Sequence, residues 1–385
     1  MTRLTIPNLR TFQFLLVTAL LAIGCFPCQA GDPAATGRQK AAQAWVDDTR
    51  AQFHLPGFSV AVIHEGELVF SGQAGMADLE LQVAVNENTR FRMGSLSKML
   101  TIGLAAKLVQ EGQLAWQEEA AKYVPQTPVK GRAPTIAELA SHTSGIRHYL
   151  ATDFQDCERT LKAVATDTLM YPTLTDGLSI FIADPLLFEP GSSYSYSSYG
   201  YNLLGVILEK AGKADFLTLM KEKLLDPLGM NHTCADLPYQ LIPDRADGYN
   251  IGSDNHWQPA GFADSSYKWP SGGMIGTPTD LARLGLAFLQ PGWLEAAALQ
   301  AIFTPQRNAL TKSYQVGLGW RIGSDEGGET MYFHGGAIEG GRAHILLIPR
   351  TRTVVVLMAN AFARFGREES LSLAKIFSTS PKERP

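Results

Sequence analysis

Stretches typical of β-strands lie at both ends of this chain and are scarce between them. Near the start, "GFSVAVIHEGELVFSGQAG" (57–75) predicts a hairpin of two strands around a polar turn at Glu65-Gly66. After Tyr314, four more stretches favour strands: "YQVGLGWRI", "ETMYFHGG", "RAHILLIP" and "TVVVLMANA". Both groups join one sheet if the two ends of the chain meet. We therefore predict an α+β fold with one antiparallel sheet built from both ends.

Helical patterns account for most of the remaining chain. "AAQAWVDDTRAQF" (41–53) and "EESLSLAKIF" (368–377) predict terminal helices that pack on the sheet, and residues 31–41 are predicted to be a tether. Residues from about 95 to 310 are expected to form a mostly helical lobe, and about 40–94 and 311–385 the sheet lobe, with a cleft between them. No Pro/Gly/Ser linker divides residues 31–385. We therefore predict one domain of two interwoven lobes.

The first 30 residues have the pattern of a secretory signal peptide. Arg3 and Arg10 precede the apolar run Phe14–Gly24, and small residues follow in "CQA" before Gly31. The run is shorter than the roughly 20 residues that a spanning helix needs. We predict a secreted or periplasmic protein with no stable membrane span. The alternative is a lipoprotein anchored through Cys25, although the residue three before that cysteine suits such processing poorly.

Composition excludes some partners and leaves one disulfide open. The net charge is -4 and no basic stripe is present, so a nucleic-acid partner is not expected. The eight histidines show no zinc-ligand spacing, and we predict neither a metal nor a cofactor. Removal of the signal leaves Cys157 and Cys234. An oxidising compartment permits a disulfide between them, and two free thiols fit equally well.

The stretch "SLSKMLTIGLAAKLVQEG" predicts a helix that begins at Ser95 and stops near Gly112. On a helix, Ser95 and Lys98 share one face with about 5–6 Å between their Cβ atoms. Apolar neighbours lower the pKa of a lysine, which can then take the proton of a serine nucleophile. A helix N-terminus also presents amide groups that stabilise an oxyanion. The alternative is that this spacing marks only a helix start.

Two other Ser-x-x-Lys spacings occur in the chain, and the motifs of several other hydrolase families are missing from it. Both observations help to decide whether Ser95 and Lys98 are catalytic. Ser265 and Lys268 lie in a Gly/Pro-rich stretch, whereas Ser372 and Lys375 lie in the amphipathic terminal helix and look like surface residues. The chain has no Gly-x-Ser-x-Gly elbow, no His-Glu-x-x-His and no Walker-type phosphate loop. Ser95 is therefore the preferred candidate nucleophile.

Two further stretches place polar residues next to a predicted helix start or strand end. "YSYSSYGYNLLG" (194–205) places Tyr-Ser-Ser just before a helix. "FHGGAIEGGRAHILLIP" places His334, Gly335 and Gly336 at the end of a strand pattern, where two glycines allow a ligand to approach the backbone. The alternatives are that the tyrosines only pack and that the glycines only form a turn.

The order of these three motifs resembles the serine β-lactamase and penicillin-binding protein family. Within it, the chain is similar to the branch of class C β-lactamases, D-alanyl-D-alanine carboxypeptidases and esterases. The resemblance covers roughly residues 40–375 and rests on these stretches: "FRMGSLSK", "ELASHTSGI", "FEPGSSYSYSSYGYNLLG", "SGGMIGTPTDLARLG" and "HGGAIEGG". "SHTSGIRHY" and "SSYKWPSGG" are similar to the group of mitochondrial serine β-lactamase-like proteins and their bacterial relatives.

The resemblance implies roles for particular residues. Ser95 would be the acylated nucleophile, and Lys98 would be its base or hold the base in place. Tyr196 would carry the proton to the leaving group and help to activate water, while His334 would line the cleft from a strand. The implied substrate-binding residues, with the amide groups of Ser95 and Ala337 as the oxyanion hole, are Ser198, Gly335, Gly336, Ala337 and Arg342.

Two departures from the family pattern matter for the substrate. Ser198 replaces the asparagine of Tyr-x-Asn, and a hydroxyl cannot offer an amide to a substrate carbonyl. His334 replaces the lysine that is common in efficient class C enzymes, and its charge would be conditional near neutral pH. We expect His334 to attract a substrate carboxylate, with Arg342 as an alternative cation. Both departures count against potent antibiotic hydrolysis.

Taken together, the sequence predicts a secreted serine hydrolase that acts through an acyl-Ser95 intermediate on a small-molecule or peptide substrate. Peptide amides or esters, including ones with D-configured termini, are the expected substrates. Three alternatives remain open. The protein could hydrolyse β-lactams, it could be acylated by penicillin and deacylate slowly, or it could be a non-catalytic assembly protein that forms filaments on this fold. The sequence does not predict an oligomeric state.

Overall fold

The computed structural model of the protein describes residues 33–154, 169–254, 256–261, 264–309, 311 and 313–378. The predicted signal peptide with Cys25 lies outside the described residues, and so does Cys157, so cleavage stays a prediction and the choice between a disulfide and two free thiols stays open. No helix in the described ranges combines the length and apolarity needed to cross a membrane. In the same ranges, no three His, Cys, Asp or Glu side chains are grouped as metal ligands.

An eight-stranded antiparallel sheet forms the centre of the fold, in the order β3-β2-β1-β13-β12-β11-β10-β9. Its strands are β1 (Gly57–His64), β2 (Glu67–Asp78), β3 (Val83–Ala84), β9 (Gln315–Val316), β10 (Arg321–Ser324), β11 (Thr330–Ile338), β12 (Gly341–Ile348) and β13 (Thr353–Ala359). The α-helices are α1 (Pro33–Gln52), α2 (Ser97–Gln110), α3 (Ile136–Ala140), α4 (Leu174–Gly177), α5 (Ser198–Gly212), α6 (Phe216–Met220), α7 (Pro278–Leu289), α8 (Ala296–Phe303) and α9 (Arg367–Ser378).

The two ends of the chain meet where β1 pairs with β13. The register runs from Phe58 opposite Ala359 to Ile63 opposite Val354. Because this pairing is antiparallel and central, the first hairpin and the last strands form one continuous sheet. The prediction of a single sheet built from both ends is confirmed.

Alternate residues of β13 enter two different cores. Val354 and Val356 face the helical lobe and belong to the large core that contains α7. Val355 and Leu357 face the opposite side and pack in a smaller core with α1 and α9. A strand that is buried on both faces reads as a continuous apolar run, which explains "TVVVLMA". The predicted α+β architecture, with terminal helices on one face and a mostly helical lobe on the other, is confirmed.

Two local predictions were wrong. Helix α1 begins at Pro33, so most of the predicted tether is helical; proline fits the first turn of a helix because its missing N–H has no intrahelical partner there. The fold also contains short strands outside the central sheet that the sequence patterns do not predict. They are β4 (Phe91–Arg92), β5 (Cys234–Ala235), β6 (Tyr249–Ile251), β7 (Trp257–Pro259) and β8 (Met274–Gly276). Strands of two or three residues are too short to show an alternating pattern.

Helix α2 runs through the middle of the helical lobe. Residues on every side of it are fully buried, among them Leu100, Ile102 and Leu104. A helix that is apolar all round is a core helix, and α2 packs against α5 on one side. This burial fixes the N-terminal end of α2, which carries the candidate nucleophile, against the sheet.

Candidate active site

Ser95 lies in a single 3-10 turn, Gly94–Leu96, that leads directly into α2. Gly94 has a φ of +51°, and a Cβ added there would lie 2.8 Å from the amide nitrogen of Ala337. A Cβ on Gly336 would lie 1.9 Å from the carbonyl oxygen of Met93. Both glycines are therefore required for the close backbone packing of this turn on β11. Ser95 itself remains partly exposed.

The side-chain nitrogen of Lys98 is completely buried and reaches three oxygen atoms. This Nζ atom lies 3.3 Å from Ser95 Oγ and 3.0 Å from Ser198 Oγ, and it donates to the carbonyl oxygen of Ser271 at 2.7 Å. The Tyr196 ring lies on one side, with its centroid 5.0 Å from Nζ. All three oxygen partners are uncharged.

The surroundings of Lys98 favour the neutral amine. Burial, and then the positive charge of Arg321, hold the pKa of Lys98 well below its usual value. Within the part of the chain that the structure describes, no carboxylate forms an ion pair with Lys98. A buried amine without a counter-ion loses its proton more easily, so Lys98 can accept a proton from its neighbour Ser95.

Tyr196 contacts the same serine from the other side. Its hydroxyl group donates to Ser95 Oγ at 2.8 Å. Burial raises the pKa of Tyr196, so the side chain is a phenol near neutral pH. Its ring lies against the imidazole of His142, with 4.4 Å between the centroids. Tyr196 is therefore a proton donor in a fixed position, and not a tyrosinate base.

Two neutral histidines hold the turn that carries Tyr196. His142 Nδ1 accepts from the amide of Ser197 at 3.2 Å, and His148 Nδ1 accepts from the amide of Ser198 at 3.2 Å. Burial lowers the pKa of His148 to about 4, and burial also holds the pKa of His142 well below 6.5. Because both rings are neutral, their Nδ1 atoms remain acceptors.

His334 lies beside the cluster but is hidden from solvent. It is 1% exposed, its ring centroid lies 6.4 Å from that of Tyr196, and its Nδ1 lies 2.8 Å from the carbonyl oxygen of Gly335. Burial, and then the positive charge of Arg321, hold the pKa of His334 well below its usual value. A neutral, buried His334 supplies no charge to a substrate, which differs from the conditional charge that an ordinary histidine pKa predicts.

The other predicted binding residues divide into two groups. Ser198 bonds Lys98, and Gly336 and Ala337 lie against the turn of Ser95. Gly335 precedes them on β11. Arg342, which was also predicted to bind the substrate, reaches this group only through the carbonyl oxygen of Gly336.

The guanidinium group of Arg342 is engaged at the entry to α9. It donates to the carbonyl oxygen of Phe365 at 2.7 Å and to that of Gly336 at 3.4 Å. Arg342 is two residues from His344 on β12, and His344 bonds Ser370 of α9. Alternate residues of a strand share one face, so Arg342 faces the terminal helices.

Sequence reasoning missed Tyr149 and Ser271. The Tyr149 ring stacks on His148 with 4.4 Å between the centroids and meets the Tyr199 ring edge-on at 4.9 Å, and burial raises the pKa of its hydroxyl. Tyr149 lies in "SGIRHYL", an irregular segment without periodicity, and Ser271 contributes a backbone carbonyl, which any residue type carries. Only the resemblance of "SHTSGIRHY" to the mitochondrial serine β-lactamase-like group marked this segment.

The other two Ser-x-x-Lys pairs, at Ser265 and Ser372, do not have the geometry of an active site. Ser265 is fully buried, and its Oγ has no hydrogen-bond partner among the described residues. Ser372 lies on α9 and accepts a hydrogen bond from the indole of Trp45 at 2.7 Å. In the structure described, neither hydroxyl group is held between a lysine and a tyrosine as Ser95 Oγ is.

Comparison with known proteins places this arrangement in a family. The sequence model of the Beta-lactamase family matches residues 42–376. The chain is 26% identical over 383 residues to the human mitochondrial protein "Serine beta-lactamase-like protein LACTB", covering 76% of this chain and 69% of that protein. It is 27% identical to a penicillin-binding protein of Bacillus subtilis, covering 80% of this chain and 69% of that protein.

A solved structure shows the same fold. The octameric penicillin-binding protein homologue from Pyrococcus abyssi superposes with a TM-score of 0.74 at 23% identity, covering 89% of this chain and 78% of that one. The family match covers most of the chain, and the fold agrees. The resemblance read from the sequence motifs is thus confirmed, and the chain belongs to the Beta-lactamase family, a family of serine hydrolases.

Proposed function

We propose that the protein hydrolyses peptide amides or esters through an acyl-Ser95 intermediate. The observation that carries this proposal is the position of Ser95 Oγ, which lies 2.8 Å from the hydroxyl of Tyr196 and 3.3 Å from Nζ of the buried Lys98. A serine hydroxyl needs a neighbouring base to attack a carbonyl, and a fixed donor must then protonate the leaving group. Lys98, on one side of Ser95, is the proposed base, and Tyr196, on the other side, is the proposed proton donor.

The reaction follows from these positions. Neutral Lys98 takes the Ser95 proton as Oγ forms a bond to the substrate carbonyl carbon. The amide groups of Ser95 and Ala337 are the proposed donors to the resulting oxyanion. Tyr196 gives its proton to the leaving nitrogen or oxygen as that bond breaks, and it recovers a proton from Lys98. Water then attacks the acyl-Ser95 ester, its proton passes back through the same groups, and Ser95 is released.

Two features favour peptides and esters over β-lactam antibiotics as the substrates. Ser198 is 3% exposed and already bonded to Lys98, so it offers little to a substrate in the cleft. His334 is neutral and buried, so the charge of the lysine found there in efficient class C enzymes is missing. Substrates with D-configured termini are included in the proposal because of the carboxypeptidase branch that the motifs resemble.

Intact-mass spectrometry after incubation with penicillin G or with a phosphonate ester tests the proposal. We expect a stable adduct with the phosphonate, because it traps an activated serine, and no lasting adduct with penicillin. A lasting penicillin adduct would identify a slow-deacylating receptor. Rapid conversion of penicillin to penicilloate would identify a β-lactamase. Absence of any adduct or turnover would contradict the proposal and favour an assembly protein.

We also propose that the chain is exported with its first 30 residues removed, on the basis of the charged start, short apolar run and small residues before Gly31. N-terminal sequencing of the protein recovered from the periplasm of an expressing bacterium should begin at Gly31. A first residue of lipid-modified Cys25 would place the protein on a membrane surface. An intact Met1 would contradict export through this signal.

A further inference from the structure

The imidazole of His148 lies beside the residues that contact the proposed nucleophile. Its ring meets the Tyr196 ring edge-on, with 5.4 Å between the centroids, and stacks on the Tyr149 ring at 4.4 Å. The Tyr196 hydroxyl in turn donates to Ser95 Oγ at 2.8 Å. Only the Tyr196 ring therefore separates His148 from the group that attacks the substrate, and two aromatic neighbours fix the orientation of the imidazole.

One hydrogen bond determines which nitrogen of His148 carries the proton. The backbone amide of Ser198 donates to His148 Nδ1 at 3.2 Å, and a backbone N–H group cannot accept in return. An accepting Nδ1 has no proton, so a neutral imidazole carries its single proton on Nε2. Burial lowers the pKa of His148 to about 4, so the ring is neutral near pH 7. The Nε2 atom is therefore an N–H donor.

That donor is open to a bound molecule. Among the described residues, Nε2 of His148 has no hydrogen-bond partner, and it is not one of the buried polar atoms. His148 is half-buried, and Ser95 and Tyr196 are also partly exposed. Since the His148 ring packs against Tyr196, its Nε2–H group is available to a substrate that lies over Ser95.

His142 has the same tautomer without the same access. Its Nδ1 accepts from the amide of Ser197 at 3.2 Å, so its proton is also on Nε2. His142 is 2% exposed, however, and its Nε2 is buried with no partner among the residues that the structure describes. His142 can therefore only hold the turn, whereas His148 holds the turn and also presents a donor.

We propose that His148 is a specificity-determining residue whose Nε2–H donates to an uncharged carbonyl oxygen of the substrate beside the bond that is cut. This inference rests on the proposed function, in which the substrate acylates Ser95. Ser198 cannot supply such a donor, because it is 3% exposed, bonded to Lys98, and lacks the amide of the asparagine that it replaces. A neutral donor suits a peptide carbonyl, and a peptide has one on each side of the scissile bond.

Nitrogen chemical shifts test the position of the proton without any substrate. The purified protein is prepared with isotope-labelled histidine, and the signals of His148 are those that disappear in His148→Asn. We expect an unprotonated Nδ1 and a protonated Nε2 near pH 7, as the bond from Ser198 requires. A proton on Nδ1 would overturn the proposal whatever the activity of the enzyme.

Two pairs of esters test the recognition itself. The first pair is the nitrophenyl ester of N-acetyl-D-alanine and the ester in which a propyl group replaces the acetamido group. The second pair has the carbonyl in the leaving group, as a glycolamide ester against the propyl ester of the same acid. In one pair, His148→Asn should lower kcat/KM about tenfold for the carbonyl-bearing ester alone, the worth of one ordinary hydrogen bond. The pair that responds identifies the side of the scissile bond.

Asparagine is chosen because its side-chain oxygen can still accept from the Ser198 amide but its amide does not extend to the position of Nε2. His148→Gln is the converse variant: it extends an amide to the Nε2 position and loses that acceptor, so it should lower the rates of both esters and keep the preference. His64→Asn is the matched control and should change neither, because His64 is also half-buried, with Nδ1 at 2.8 Å from Thr353 Oγ1 on β13.

The outcomes separate recognition from structural damage. If His148→Asn slows both members of each pair equally, or leaves both preferences unchanged, His148 does not recognise a substrate carbonyl and the proposal is overturned. Ser95→Ala is assayed in parallel with the same esters. If that variant hydrolyses them as the wild type does, the proposed function fails, whereas the chemical shifts of His148 report on its donor independently.

Discussion

Replacing Ser95 with alanine should abolish covalent labelling by the phosphonate and reduce ester turnover on the order of 10⁶-fold, the loss seen when a serine nucleophile is removed from a comparable hydrolase. The substitution removes one oxygen atom that is bonded by Lys98 and Tyr196. It adds no volume, so the turn between Gly94 and α2 should keep its conformation. Intact mass reports the labelling, and thermal unfolding reports whether the fold survives.

Two serines provide matched controls for this result. Ser265→Ala removes a buried hydroxyl that has no partner among the described residues, and Ser372→Ala alters a surface contact with Trp45. Both have a lysine three residues later, as Ser95 does. Each variant should label and turn over like the wild type. Full labelling of Ser95→Ala, or loss of labelling in either control, would refute the assignment of Ser95.

Much of the fold could be predicted because its signals are local and repeated. The apolar residues of β1 and the continuous apolar run of β13 both reflect which faces are buried, and burial acts on every residue of a strand. Their membership of one sheet was predicted from the strands at both ends, whereas the direct pairing of β1 with β13 comes from the structure. The short strands β4 and β8 carry no such pattern, because tertiary contacts alone determine them.

The site was predictable only where side-chain chemistry is tied to fixed spacing. Ser95 and Lys98 share one helical turn, so their spacing in sequence encodes their contact in space. The carbonyl oxygen of Ser271 meets Lys98 from a distant part of the sequence, at 2.7 Å, and no spacing rule connects residues that meet in this way. The neutral state of His334 could not be predicted from the sequence, because its pKa depends on burial and on the charge of Arg321, which lies on another strand.

Tyr196→Phe should lower turnover of an unactivated amide or alkyl ester by about 10²–10⁴-fold, the usual contribution of a general acid or base. The change removes the hydroxyl that donates to Ser95 Oγ at 2.8 Å and leaves the ring against His142. The free energy of unfolding should therefore change by no more than about 1.5 kcal/mol, the upper worth of one ordinary hydrogen bond. Steady-state kinetics and denaturant unfolding measure the two effects separately.

The leaving group distinguishes proton transfer from packing. A nitrophenyl ester expels a stable anion and needs no proton, so Tyr196→Phe should lose far less acylation rate with it than with an alkyl ester of the same acid. Tyr194→Phe is the matched control, because Tyr194 lies on the same turn and its edge contacts the same His142, with 6.0 Å between the ring centroids. An equal loss with both esters would mean that the hydroxyl only orients Ser95. Wild-type rates with both would leave Tyr196 as a packing residue, and the leaving group would then have to take its proton from Lys98, whose Nζ is the remaining donor at 3.3 Å from Ser95 Oγ.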